Sequence, residues 1–154
     1  MSIASQNSFS FKKVFIISII AGTLDGLAAV IFLAKMNFKG VFQYIASAVF
    51  GIDAFAGGLK MVLFGLLMHY FIAFLFTAFY NLAALKFTFL SRKKILSGVL
   101  YGIFAWFAMN LIIVPLTKIT QANFNIEDAI LNCVILIFCI GLPIAILTAR
   151  RLKN

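Results

Sequence analysis

The sequence predicts an all-α integral membrane protein of four transmembrane helices, with a short interfacial or re-entrant helix between the first two. Three observations predict it. Of the 154 residues, 64% are hydrophobic. Only 11% are charged, where a soluble domain carries roughly a quarter, and the mean hydropathy is +1.13. The apolar residues also fall into runs of about 20 residues, the length that crosses a bilayer. A chain of this size forms one domain, residues 1–154.

The elements follow in order. Residues 1–13 are polar and end in Lys12 and Lys13. Residues 14–34 form the first span. It is too long for the apolar region of a signal peptide, and no small-residue cleavage site leads into a soluble domain, so it reads as a retained helix. Residues 41–51 are too few to cross. There Gln43 and Ser47 stand one turn apart, with Phe42, Ile45 and Val49 opposite, the pattern of an amphipathic interfacial helix. Asp53 and Gly57-Gly58 read as the turn that follows, and Gln43, Ser47 and Asp53 form a candidate interfacial site.

Residues 61–85 are the second span. Residues 86–94 make a basic loop around Arg92, Lys93 and Lys94. Residues 95–117 are the third span, closed by Pro115, since proline suits a helix end or a kink. The polar loop 118–128 ends in Glu127 and Asp128, which favour a helix N-terminus through its dipole. Residues 129–149 are the fourth span, bent by Gly141 and Pro143, and a basic tail follows.

The net charge of +9 comes from 13 basic against 4 acidic residues. On a soluble protein it would suggest nucleic acid. Here the cations cluster between apolar runs, as topology determinants do, and no nucleic acid is expected. Lys12, Lys13, Lys86, Arg92, Lys93, Lys94, Arg150, Arg151 and Lys153 fall on one side. Lys35, Lys39, Lys60 and Lys118 fall on the other, with Asp53, Glu127 and Asp128. The positive-inside rule then puts both termini in the cytoplasm and the protein in the inner membrane. The expected partners are the lipid bilayer, a second copy of the chain, or another membrane protein.

Within the spans an ionisable residue is costly and suggests function. Two occur, Asp25 in the first span and His69 in the second. Counting about 1.5 Å per residue puts Asp25 roughly 13 Å, His69 roughly 12 Å and Asn110 roughly 10 Å below the outer end of each helix. An acid, an imidazole and an amide thus share a level. Their faces agree as well. Ser18, Gly22, Asp25 and Ala29 form one stripe, and Gly65, His69, Ala73 and Thr77 a second. Gly98, Gly102, Ala105 and Met109 form a third, with Asn110 at its edge. Gly22 and Gly26 make a Gly-x-x-x-Gly pair, which lets backbones approach closely.

Other chemistry is sparse. Cys133 and Cys139 are six residues apart and point about 120° away from each other on a helix, too far round to bridge. There is no Cys-x-x-Cys pair, no second histidine, no phosphate loop and no Ser–His–Asp set in a loop. No metal, no cofactor and no enzymatic activity is expected.

Several segments carry a resemblance: Gln43-Tyr44-Ile45-Ala46-Ser47, Ala54-Phe55-Ala56-Gly57-Gly58, His69 through Phe74, and Gly98, Tyr101-Gly102, Met109-Asn110 and Pro115-Leu116. Over residues 20–117 the chain resembles the YagU-like inner-membrane proteins, although their outer segment is longer than 35–60. The resemblance implies an inner-membrane location and brings no biochemical activity. The polar layer of Asp25, His69 and Asn110 is read first as an outward-facing site for proton or small-solute permeation. The second reading is a non-catalytic scaffold or accessory subunit in which an Asp–His pair only holds helices in register.

Overall fold

The computed structural model describes residues 9–33, 35, 37–119 and 125–153. The polar segment 1–8, the predicted end of the first span at residue 34 and the middle of the 118–128 loop lie outside these residues. Helix α1 (Phe11–Ala28) continues through a π-helical turn, Ala29–Leu33. The next helix, α2 (Phe38–Phe50), leads through a 3₁₀ turn, Gly51–Phe55, into α3 (Gly58–Lys86). A single turn, α4 (Thr88–Arg92), precedes α5 (Lys94–Phe107). The latter ends in a π turn, Ala108–Ile113, and a 3₁₀ turn, Val114–Leu116. Helix α6 (Ile126–Leu136) runs through a third π turn, Ile137–Gly141, into α7 (Leu142–Lys153). No strand occurs among the described residues.

Four continuous helical stretches are long and apolar enough to cross a membrane: Phe11–Leu33, Gly58–Lys86, Lys94–Leu116 and Ile126–Arg150. The chain is an all-α, four-helix, multi-pass membrane protein. The spans begin at residues 11, 58, 94 and 126, against 14, 61, 95 and 129 predicted, because each helix runs past the apolar run until a cap or turn stops it. Asn125 caps α6, its side chain accepting from Glu127 N at 2.8 Å, with Glu127 and Asp128 in the first turn where the dipole favours them. Pro115 sits in the 3₁₀ turn that closes the third span. Pro143 cannot donate to the carbonyl four residues back, and the π turn immediately before it takes up that interruption. The basic loop contains α4, which the sequence did not indicate.

The lipid-facing side of α3 is a row of large apolar side chains at four-residue spacing, Leu59, Leu63, Leu67, Phe71, Leu75 and Phe79, each at least half exposed. Its opposite face, with Gly65, Ala73, Thr77, Tyr80 and Asn81, is buried. Helix α1 packs between α3 and the fourth span, and α5 packs on the fourth span. Between α3 and α5 there is no extended backbone approach. They touch through aromatic side chains near the terminal side of the membrane, where Phe79 stacks on Phe104 at 5.7 Å and Tyr80 meets Tyr101 edge-on at 4.8 Å.

Small residues set the close crossings. A Cβ on Gly22 would stand 3.1 Å from Ala73 Cβ, and one on Gly98 3.0 Å from Leu142 Cα. The faces of Gly22 and Gly98 are therefore occupied within the chain. The thiols of Cys133 and Cys139 are free. Trp106 packs against the core, its indole N–H buried and without a hydrogen-bond partner among the described residues.

The terminal half of the bundle is closed by satisfied polar groups. The Tyr80 and Ser97 hydroxyls lie 2.8 Å apart and both reach the Leu90 carbonyl. Tyr101 Oη donates to Phe76 O at 2.6 Å. Asn81 Nδ2 donates to Thr77 O and to Thr148 Oγ1, each at 3.0 Å. Replacing Asn81 by Leu removes the donor shared by the second and fourth spans. It is expected to cost about 0.6–1.7 kcal/mol, the range for interhelical hydrogen bonds in membranes, read as a lower melting temperature in detergent. An unchanged melting temperature would show that the bond contributes nothing.

Candidate functional site

The other half of the bundle is hollow. Two adjoining cavities, of about 150 and 360 Å³, share Asp25, Tyr44, Ile45, His69, Met109 and Leu136 in their walls. Asn110 borders the larger one. The structure thus brings the acid, the imidazole and the amide of three spans to one space. Helix α2 roofs it with Tyr44, Ile45 and Ala48.

The roof is fixed by apolar packing of Phe42 on Val62 and by two backbone contacts. Gly65 of α3 packs directly against the Phe42 carbonyl oxygen. After the third span, Lys118 N donates to Ala48 O at 3.0 Å. At its start, the Asn37 side chain caps α2 by accepting from Gly40 N at 2.9 Å.

His69 is held tightly. Its Nε2 lies 2.7 Å from the Gly22 carbonyl oxygen, and because a carbonyl only accepts, Nε2 carries the proton. Gly26 leaves room for the ring, since a Cβ there would stand 3.1 Å from Nε2. The Phe42 and Tyr70 rings pack edge-on at 5.9 and 5.6 Å, and Tyr70 Oη bonds Thr23 Oγ1 at 2.9 Å. A Gly26→Val substitution is expected to push the imidazole off Gly22, costing about 1–3 kcal/mol as an overpacked site. Thermal unfolding in detergent, and the histidine ring resonances in NMR, would register it. Unshifted resonances would contradict the contact.

Asp25 is placed differently. It sits in the walls of both cavities, within Coulombic reach of His69. Yet it makes no hydrogen bond or ion pair among the described residues. Asn110 spends its amide on Trp106 O at 2.9 Å and stands exposed at the larger cavity. It lies in the π turn Ala108–Ile113, and the other two π turns also reach the cavities, through Ala29 and Leu33 and through Ile140. Such turns widen the helix and re-aim the side chains near them, and they recur at functional sites.

The three residues of the candidate interfacial site are not brought together with this one. Gln43 and Ser47 do not face water. Both are buried, Gln43 Nε2 donating to Phe55 O at 3.1 Å and Ser47 Oγ to Tyr44 O at 2.7 Å. The amphipathic pattern of α2 is thus turned inward, and its polar side ties the helix to the following 3₁₀ turn. Asp53 is exposed in that turn. In return, α2 contributes Tyr44 to the cavity, and α6 contributes Asn132, neither of which the sequence singles out. The polar plug below the cavity was likewise not anticipated as a unit. Its signal was the four-residue spacing of Thr77 with Asn81 and of Ser97 with Tyr101, which puts each pair on one helix face.

No group of three or more metal-ligating side chains occurs among the described residues. Compared with known proteins, the chain matches no family model, no curated protein and no solved structure.

Proposed function

We propose that this membrane protein carries a proton or a small solute across the bilayer, using the cavity bordered by Asp25, His69 and Asn110, with both termini in the cytoplasm. The observation that supports this most is the carboxyl of Asp25, which borders both cavities and makes no hydrogen bond among the described residues. If the polar layer served only to hold helices in register, Asp25 and His69 would satisfy each other. Instead His69 bonds the Gly22 carbonyl and acts on Asp25 only at Coulombic range, and Asp25 faces the cavity with no hydrogen bond or ion pair among the described residues. An unsatisfied acid in a membrane span is costly, and function is the usual reason it is kept.

The two halves of the bundle suit that reading. The cavity lies on the α2 side, and the Tyr80–Ser97–Leu90 and Asn81–Thr148 bonds close the other. A site reachable from one side and sealed toward the other is one state of an alternating-access cycle. The orientation rests on Lys12, Lys13, Lys86, Arg92, Lys93 and Lys94 gathering on the sealed side.

The test is flux into liposomes holding the purified protein, with a trapped pH-sensitive dye for protons and osmotic swelling for small solutes. Wild-type protein is expected to exceed protein-free vesicles, and Asp25→Asn and His69→Ala to return to their level. Wild-type flux no higher than the blank, or variants that conduct like the wild type, would overturn the reading.

A further inference from the structure

The smaller cavity is almost entirely apolar apart from its Asp25–His69 end, and it shares part of its wall with the lipid-facing surface of the bundle. Ile72, Phe76 and Ile113 line it and also line a groove of about 480 Å³ on the outside of the bundle. That groove runs between the second and third spans past Leu75, Phe79 and Phe104, whose side chains are about half exposed. It exists because α3 and α5 do not approach each other closely along their backbones and meet through aromatic side chains and their hydrogen bonds near the terminal side. The groove and the Asp25 cavity thus meet at an apolar wall formed by Ile72, Phe76 and Ile113.

What could occupy it follows from charge and lining. No Lys or Arg borders either cavity among the described residues. His69 commits its Nε2–H to Gly22 O. Asp25 is the one acidic side chain in these walls among the described residues, and the ligand charge its carboxylate form would seat is a cation. An inorganic cation is ill matched, since a hard ion takes about six oxygen ligands and this cavity is walled by methionine, isoleucine, alanine and aromatic side chains. An organic ammonium is well matched, because aromatic faces such as Tyr44 and Phe76 attract it. The cavity of about 150 Å³ is the size that holds a benzene ring.

We propose that the Asp25 cavity binds a small amphiphilic cation, an aryl- or alkylammonium that arrives from the lipid through the groove between the second and third spans and seats its charge at Asp25. This rests on the same site as the transport reading and names its substrate class.

The probe is benzyltrimethylammonium, titrated into the full-length protein in lipid nanodiscs, with benzyl alcohol and benzoate as the neutral and anionic counterparts. The wild type is expected to bind the cation most tightly, the alcohol weakly and benzoate least, a ranking that needs no variant. Asp25→Asn should weaken the cation at least about 30-fold, as loss of one partner of a desolvated charge pair does, and leave the alcohol unchanged. Ala108→Trp, which fills the groove, should slow association of the cation by a larger factor than it changes its affinity. Equal affinities for the three probes, cation binding indifferent to Asp25→Asn, or association indifferent to Ala108→Trp would each overturn the proposal. Because binding is read without flux, the two claims separate. Asp25-dependent cation binding without any flux would sustain this proposal and remove the transport reading, and flux without cation binding would do the reverse.

Discussion

Gly141→Val is expected to prevent stable folding. A Cβ at Gly141 would run into the Gly98 carbonyl oxygen and stand 2.7 and 2.9 Å from Gly102 N and Cα. Every one of these atoms is backbone, so no rotamer change relieves the overlap. The reciprocal contacts are as tight, with Gly102 against the Ile137 backbone and Gly98 within 3.0 Å of Leu142 Cα. Three glycines thus let the third and fourth spans touch along their main chains, and in lipid such packing is itself the force that associates helices. The valine should cost about 3 kcal/mol, the upper end for overpacking, because helices must separate and not merely repack. Size-exclusion profile and thermal unfolding in mild detergent would measure it. A monodisperse variant melting within about 3 °C of the wild type, a shift worth roughly 1 kcal/mol, would rule out this crossing.

The second large effect is local. In Gly65→Val the new side chain would overlap the Phe42 carbonyl oxygen and lie 2.6 Å from Phe42 C. Helix α2 has to lift off α3, whereas the main core around Tyr80, Tyr101, Ile144 and Ala145 contains no residue of α2 and is not touched. The expected result is a folded protein with an open roof. Lys39, exposed in the first turn of α2, then reports the opening. With about 2 kcal/mol lost at the contact, trypsin cleavage there should rise about 30-fold, since cleavage follows the open population. The Lys118–Ala48 hydrogen bond and the Phe50–Phe64 ring contact then remain as tethers. Cleavage at the wild-type rate would mean that Gly65 does not hold the roof.

The number of spans, their positions and the level of the polar residues were determined by the sequence alone. Hydropathy over some 20 residues reflects the one requirement that lipid imposes on every backbone, and helical rise converts residue count into depth without any tertiary information. The small-residue stripes also indicated which faces turn inward, as Gly22, Gly65, Ala73, Gly98 and Gly102 do. What the sequence left open was which group bonds which. Equal depth allowed an Asp25–His69 bond, and only the packed structure pairs His69 with the Gly22 carbonyl. That choice depends on Gly26 making room for the ring, a three-dimensional coincidence of two helices. Helix α2 was legible as an element but not in orientation. Its buried polar side is satisfied by the Phe55 carbonyl, a partner that the following turn brings back against it. The π turns at Ala29–Leu33, Ala108–Ile113 and Ile137–Gly141 had no sequence signature either. They arise where a helix adjusts to its neighbours, and here they line the space that the four spans leave between them.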